Sequence, residues 1–534
     1  MKNLKLLFTL SLLILASTSL HAKDYYVCPT GDDANNGLSE ATPFASYEKG
    51  INTFATVAAG DSVLFCRGGT FPITKGKNIK NTNCSVEVPC TLGDYGDKTA
   101  DKPLITSSSA INALSFYGNV DASLSGGGYI IKNLSLVSTT GEGKGVFLYI
   151  GVHDMLIENL HIQGFKVGMQ ITGSTTHSIT LKDSVVMDSG SQGVLGGCND
   201  CLYENNHFEN NGSGVFDHNI YLASGKGGAA KNMTVRGNTL YKSSMVDGKC
   251  DGVSLVVHGK FEDLTIENNL IKEDAGTAKN TCYGISVDPG YADEEYFKNV
   301  IIRGNTLLNV GGNAIGCASC DGALIENNLI IDQGSTLVNA IAVPVRTEDA
   351  VKSKNITIRN NRILMTKNWN ETSGVRVGGS YPISVVNNDI NLVDYPLSEC
   401  VRGSEKNVGV NDSLNTCKKT VSATMLEQLV QDLLGGLYEE TPVEETPVEE
   451  TPVEETPVEE THTKYKDTKD TSLNSSEKSN SRRSSKMKDI LVNTTYKAGS
   501  LFSGRRTSGS DSGTVGFTQP KKSCQVFARG QCLM

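Results

Sequence analysis

One pattern returns from about Gly145 to Asp394, and it restricts the fold more than anything else in the chain. A Gly or other small residue opens each unit and is followed by apolar-x-apolar. After a variable loop come apolar-x-Asn/Gly-Asn and an apolar pair. The opening half reads Gly168-Met-Gln-Ile171, Gly193-Val194, Asn219-Ile-Tyr-Leu222, Gly252-Val-Ser-Leu255, Gly284-Ile-Ser-Val287, Ala340-Ile-Ala-Val343 and Gly374-Val-Arg-Val377. The closing half reads Tyr203-Glu-Asn-Asn206, Val235-Arg-Gly-Asn238, Ile266-Glu-Asn-Asn269, Ile302-Arg-Gly-Asn305, Ile325-Glu-Asn-Asn328 and Ile358-Arg-Asn-Asn361. Apolar residues alternate with a period of two in short β-branched runs, which specifies strand and not helix. A unit this small cannot bury its own apolar face, so the units must stack. The Asn/Gly position is where a bend needs positive φ, which those two residues tolerate best. The Asn after it would stack at about 4.8 Å from coil to coil, close enough for an amide ladder. The expected fold is all-β, a solenoid of parallel strands.

The flanks read differently. Residues 1–22 open with two lysines, continue through a Leu-rich run too short to span a bilayer, and close on small residues; this is the order of a secretory signal. Residues 23–100 would form an N-terminal cap and the first coils. A helix from about Ser46 to Ala58, with Tyr47, Ile51 and Phe54 on one face, would cover the exposed strand edges. Residues 101–400 hold the repeats. Residues 401–438 form a C-terminal cap region, with an amphipathic helix from Met425 to Leu434 expected across the other end. Residues 439–461 repeat Glu-Glu-Thr-Pro-Val, where Pro and like charges favour an extended linker. The tail, 462–534, carries 14 Lys and Arg against 5 Asp and Glu and is Ser-rich, so it is expected to be mostly disordered, with a basic surface suited to an anionic polymer or surface.

Fourteen cysteines behind such a leader point to disulfides in an oxidising compartment, secreted or periplasmic. Cys250 and Cys282 sit at the same place on adjacent coils and should pair. Cys28 with Cys66, Cys84 with Cys90 and Cys400 with Cys417 are the other expected bridges. Two CxxC pairs, Cys198/Cys201 and Cys317/Cys320, lie too far apart to share a zinc ion and should each close a local loop. Cys524 and Cys532 would close a small loop in the tail. A net charge of −10 argues against nucleic acid as a partner.

The repeats resemble the right-handed parallel β-helix repeats of the pectin lyase-like superfamily, over roughly Tyr25 to Asp394. That resemblance implies a right-handed parallel β-helix whose loops leave a groove along one strand face. It also implies an extracellular polysaccharide as partner. The superfamily's reactions differ, so the chemistry must be read from residues.

Unusual side chains gather in the longer coils opening at Asn219, Gly252 and Gly284. His218 and Asp251 each precede a coil start on neighbouring coils, about 5 Å apart if aligned. Tyr221 should stand outward beside Ser254 and Ser286. His258, Asp288, Lys226 and Lys249 lie on nearby loops, with Arg346 and Arg376 further along. Elimination on a uronic-acid polymer needs a base, an acid and a neutralised carboxylate. His218 can be the base, oriented by Asp251, with Tyr221 the acid and His258 beside them. Lys226, Lys249, Arg346 and Arg376 can bind the substrate, or a calcium ion on Asp217, Asp251 and Asp288 can neutralise it. The same groups suit epimerisation at the carbon bearing the carboxylate, and Asp217-His218 is faintly similar to the Asp-x-His-Asp motif of mannuronan epimerases, whose remainder is absent. Hydrolysis would need two carboxylates, which Asp217, Asp251 and Asp288 can supply, though the paired aspartates and Gly-His-Gly of polygalacturonases are missing. A non-catalytic binding or adhesion role uses the same groove with no chemistry, and a His and a Tyr on one strand also form ordinary packed pairs.

Overall fold

A computed structural model describes residues 22–118, 126–173, 175–224, 228–290, 294–344, 351–366, 372–378, 382–392, 397–403, 414–419 and 422–435. The leader, the Glu-Glu-Thr-Pro-Val linker, the basic tail with Cys524 and Cys532, and the candidate residues Lys226 and Arg346 lie outside them. The chain visits three long parallel sheets in turn. Among the described residues the first has 13 strands, from Asp24–Val27 to Ile383–Val386; the second has 13, from Thr70–Ile73 to Thr416–Lys418; the third has 12, from Asn78–Ile79 to Glu399–Gly403. In each sheet a strand pairs in parallel with its counterpart one coil on, as Met155 with Ile179 and Leu181 with Tyr203. This is a parallel β-helix. A fourth, four-stranded sheet, from Ala230–Lys231 to Cys320–Asp321, adds a short extra facet to the middle coils.

Alternation within each strand sends one set of side chains inward, and constant register stacks like on like. Val235, Ile266, Ile302, Ile325, Ile358 and Val385 form one such column, all fully buried. Each contributes about 1.5–3 kcal/mol by leaving water. At the bend between the first and second sheets, Asn205, Asn268, Asn327, Asn360 and Asn387 take positive φ, and Gly237 and Gly304 do so between them. The next residue on each coil is an inward Asn. From Asn206 through Asn238, Asn269, Asn305, Asn328, Asn361 and Asn388 to Asn415, each Nδ2 donates to the Oδ1 of the next at 2.8–3.0 Å. Each Oδ1 also accepts a backbone N–H from the coil before, so the buried amides are satisfied.

The N-terminal helix spans Tyr47–Phe54, capped by Ser46, whose Oγ accepts from the Lys49 N–H, and it buries Tyr47, Ile51 and Phe54 against the first coils. It ends before Ala58 because the Asn81 amide takes the carbonyls of Phe54 and Val57 at 3.1 and 2.9 Å, supplying the donors that another turn would have. The second helix, Ala423–Gly435, is not the end cover that its sequence suggests. Its Val430 and Leu429 pack on Leu308, Ile331 and Leu364, outward-facing residues of the second sheet. An apolar column on an outer face needs a cover, and this helix provides it.

Among the described residues six disulfides join Cys28–Cys66, Cys84–Cys90, Cys198–Cys201, Cys250–Cys282, Cys317–Cys320 and Cys400–Cys417, the pairs expected from the sequence, of which Cys250–Cys282 rests on the repeat column. No helix among the described residues is long and apolar enough to cross a membrane.

Candidate active site on the third sheet

The strand His218–Ala223 lies mid-stack in the third sheet. Ile220 and Leu222 point inward and Tyr221 outward, in a column with Phe147, Gln170, Leu195, Val256 and Ser286. At the strand's start Asn219 also turns inward, where its Oδ1 accepts from Asn211 at 2.9 Å, so the alternation breaks. His218 therefore ends on the same side as Tyr221, its ring stacked on the phenol at 5.5 Å between centroids. His258 approaches Tyr221 from the other side, at 5.4 Å. A phenol thus sits between two imidazoles.

Both imidazoles are oriented by backbone carbonyls. His218 Nδ1 lies 3.0 Å from the Val253 oxygen and His258 Nδ1 lies 2.6 Å from the Asp288 oxygen. A carbonyl can only accept, so Nδ1 carries the proton in both rings and Nε2 keeps the lone pair in the neutral form. Burial, and then the nearby His258, push His218 down to about 3, so it is neutral at neutral pH. The Val253 oxygen also accepts from Ser243 Oγ at 3.0 Å, and the Ser243 N–H donates to Glu273 Oε1 at 2.9 Å. Burial pushes Glu273 up to about 8, so this carboxyl is mostly protonated at neutral pH. A buried polar line thus runs from Glu273 to His218.

His258 is further held by residues that the repeat pattern did not reveal. Its ring occupies the space where a side chain at Gly290 would be: a Cβ there would lie 2.5 Å from Cε1. The buried Glu295 carboxylate accepts from Gly259 at 2.8 Å and from Gly290 at 3.1 Å, tying together the two loops around that ring. An isolated Gly after a strand and a Glu outside the repeat were the only sequence signals for this support.

The remaining candidates divide. Asp288 is buried, and its Oδ1 accepts from Ser286 Oγ at 2.9 Å; burial and then the Asp288 charge push Tyr283 up to about 12. Asp217 accepts from Ser191 Oγ at 2.9 Å and from the Ser213 N–H at 3.1 Å, closing the turn before His218. Asp251 does not orient His218. It pairs with Lys279 at 2.8 Å and accepts from Thr281. The reason is register: Ile220 pairs with Leu255, not Val253, a slip of two residues from the alignment of repeats. The same slip puts Val256, not Ser254, beside Tyr221. Asp217, Asp251 and Asp288, the expected calcium set, are not brought together: each bonds its own partners, Ser191, Lys279 and Ser286. Among the described residues, the acidic, thiol and imidazole groups that do converge are Cys250, Glu273 and Cys282, and the two cysteines are bonded to each other. Lys249 is exposed on a hairpin, Met245–Val246 with Lys249–Cys250. Arg376 shares the Tyr221 column but stands five coils along, about 24 Å at strand spacing, too far to touch the same sugar. His153 and His177 stack on each other, and His161 and His207 bond Gln163 and Glu209 on their own strands.

A family model of the right-handed β-helix region matches residues 144–330. A lacto-N-biosidase of Bifidobacterium longum subsp. longum is 29% identical over 334 residues, which is 59% of this chain and 20% of that protein. The chain thus spans about a fifth of the length of that curated relative. Among solved structures, a lacto-N-biosidase from Eubacterium ramulus is 14% identical at a TM-score of 0.45, covering 74% of this chain and 68% of that one. An α-1,3-glucanase from Streptomyces thermodiastaticus is 16% identical at 0.47, covering 70% and 67%. An alginate lyase from Paenibacillus is 15% identical at 0.35, covering 68% and 97%.

Proposed function

We propose that this protein acts on an extracellular polysaccharide, by elimination or epimerisation at a uronic acid, with His218, Tyr221 and His258 as its acid–base centre. The observation that carries this reading is the phenol of Tyr221 held between two imidazoles that carbonyls fix in the Nδ1–H form. His218 Nε2, as base, takes the proton from the carbon beside the substrate carboxylate. The electron pair forms the carbon–carbon double bond as the glycosidic oxygen leaves, and Tyr221 gives that oxygen its proton. The cycle closes when protonated His218 gives its proton to solvent and the Tyr221 phenolate takes one back from it, and His258, on the far side of the phenol, is placed to relay that proton. If the proton goes back to the opposite face of the same carbon instead, the outcome is epimerisation.

Glycoside hydrolysis is the second reading, favoured by the Bifidobacterium relative, whose name denotes a glycosidase. Its two carboxylates would come from Asp217, Asp251 and Asp288, all of which are already engaged as described. The six disulfides and the leader support export to an oxidising compartment.

The test is to mix the full chain with alginate, pectate and glycosaminoglycans and to follow both ultraviolet absorbance and reducing ends. Absorbance from unsaturated uronate, lost in His218→Ala and Tyr221→Phe, is the expected result. Reducing ends without absorbance, lost in Asp288→Asn, would replace elimination by hydrolysis. Neither signal from any polymer, and no exchange of the carbon-bound proton with heavy water, would leave a binding role.

A further inference from the structure

Three aromatic rings occupy the outer face of the third sheet, on the N-terminal side of this centre. Tyr117, Phe147 and Tyr149 lie on neighbouring strands, Leu114–Tyr117 and Lys144–Tyr149, and alternate with inward Phe116, Val146 and Leu148. Their centroids are 4.9 Å apart for Tyr117–Tyr149, 5.8 Å for Phe147–Tyr149 and 6.3 Å for Tyr117–Phe147. Tyr149 is 39% exposed, and Tyr117 and Phe147 are partly so. Apolar side chains on an outer face usually pack under a loop or helix, as Leu308, Ile331 and Leu364 do here. A partly open trio keeps an apolar surface against water and is a reason to look for a ligand.

The trio is in line with the catalytic candidates. Phe147 and Tyr221 share a column, joined through Gln170 and Leu195, and are three coils apart, about 14 Å. Tyr117, Tyr149 and Thr172 follow one another in the neighbouring column, and two residues beyond the Tyr221 column on later coils Ala223 pairs with His258. Between the two ends the face carries Gln170, Thr172 and Leu195, and a cleft beside it is lined by Gly173, Thr176, Gly197, Asn199 and Ser224.

Two lysines border the trio. Lys144 Nζ sits 4.7 Å from the centre of the Phe147 ring, and Lys166 comes from the next coil. Burial, and then the Lys166 charge, hold Lys144 below the ordinary lysine value. Neither ammonium has an acidic partner among the described residues, although the chain as a whole carries −10. Two like charges kept together without an acid favour an anion between them.

We infer that Tyr117, Phe147, Tyr149, Lys144 and Lys166 form a remote subsite for an acidic sugar of the same polysaccharide, a few residues along the chain from the reacting one. The rings present flat apolar faces to the C–H face of a pyranose, and the ammonium groups meet its carboxylate or sulfate. This inference deepens the reading of the His218–Tyr221–His258 centre and names its substrate class as an anionic polymer gripped over several units. A consequence is that long chains should be held better than short ones.

The test measures binding apart from turnover. Affinity electrophoresis and calorimetry with polygalacturonate, alginate, chondroitin sulfate and a neutral β-glucan would be run on the full chain and on the Phe147→Ala/Tyr149→Ala and Lys144→Gln/Lys166→Gln double variants, all in a His218→Ala background. Expected is binding of at least one anionic polymer and not of the glucan, weakened tenfold or more in both doubles and by salt, with a hexasaccharide affected and a disaccharide not. The single Tyr149→Ala, at the most exposed ring, guards against loss of fold and should give a smaller loss in the same direction. Equal binding by wild type and the doubles, a preference for the neutral glucan, or no binding at all would overturn the subsite. Binding as expected with no turnover in the parent chain would instead overturn the catalytic reading and leave the subsite standing.

Discussion

The His218 imidazole is held by the Val253 carbonyl, at 3.0 Å from Nδ1, and not by a carboxylate. A carboxylate partner would favour the imidazolium; a neutral carbonyl in a buried setting does so far less, which is why burial wins and His218 stays uncharged. Its folded-state value, about 3, lies below the usual 6.5. The unfolded chain therefore takes up a proton between those values that the folded chain refuses. The stability from His218 is fully present above about pH 6.5 and is lost as pH falls towards 3. His218→Gln should flatten the dependence of Tm on pH in that window. A variant with the same slope as wild type would mean that His218 is not buried neutral.

The same value sets an activity profile. If His218 is the base, the acid limb of kcat/KM should fall well below pH 6.5, since that ratio reports the free enzyme. A limb at the ordinary histidine value would assign the base elsewhere.

Glu273 predicts the opposite slope. Its folded value, about 8, is raised above the usual 4.5. Its contribution is complete below pH 4.5 and is lost as pH rises through 8, because the unfolded carboxyl ionises first. Glu273→Gln, which keeps an oxygen for the Ser243 N–H, should match wild type at pH 4 to 5 and have the higher Tm above pH 8. The outcome against this is a variant that loses stability at every pH.

Gly290 supports the His258 ring. Gly290→Ala should push the imidazole aside, and because misplacing a catalytic group by about 1 Å costs on the order of 100-fold, kcat should fall strongly while Tm moves little. Glu295→Gln should act in the same direction through the two loops that Glu295 ties. Unchanged kcat in both would remove His258 from the site.

The Asn ladder is a stability feature with a sharp test. Asn305→Ala would take the acceptor from the Asn269 backbone N–H and from one of its two amide hydrogens, and the donor from the carbonyl of Ile266, costing about 1–3 kcal/mol for each buried group left unsatisfied. Asn305→Asp should cost more, since its carboxylate would face the Asn328 oxygen where an amide N–H now donates. Urea unfolding would rank the two.

What the sequence determined by itself is the architecture. Period-two alternation, an Asn or Gly at each bend and a buried Asn after it are local rules repeated on successive coils, and repetition makes local rules sufficient for the fold. The Cys250–Cys282 disulfide follows from the same columns, and the two CxxC pairs close local loops. What only the tertiary structure decided is the alignment of neighbouring coils. Period-two patterning is blind to a slip of two residues, because the faces are unchanged. That slip replaced Asp251 by Val253 beside His218 and Ser254 by Val256 beside Tyr221. The turn of Asn219 into the core, the seat of His258 over Gly290, and the second helix on Leu308 and Leu364 likewise depend on contacts between residues far apart in the chain, and no local period encodes those.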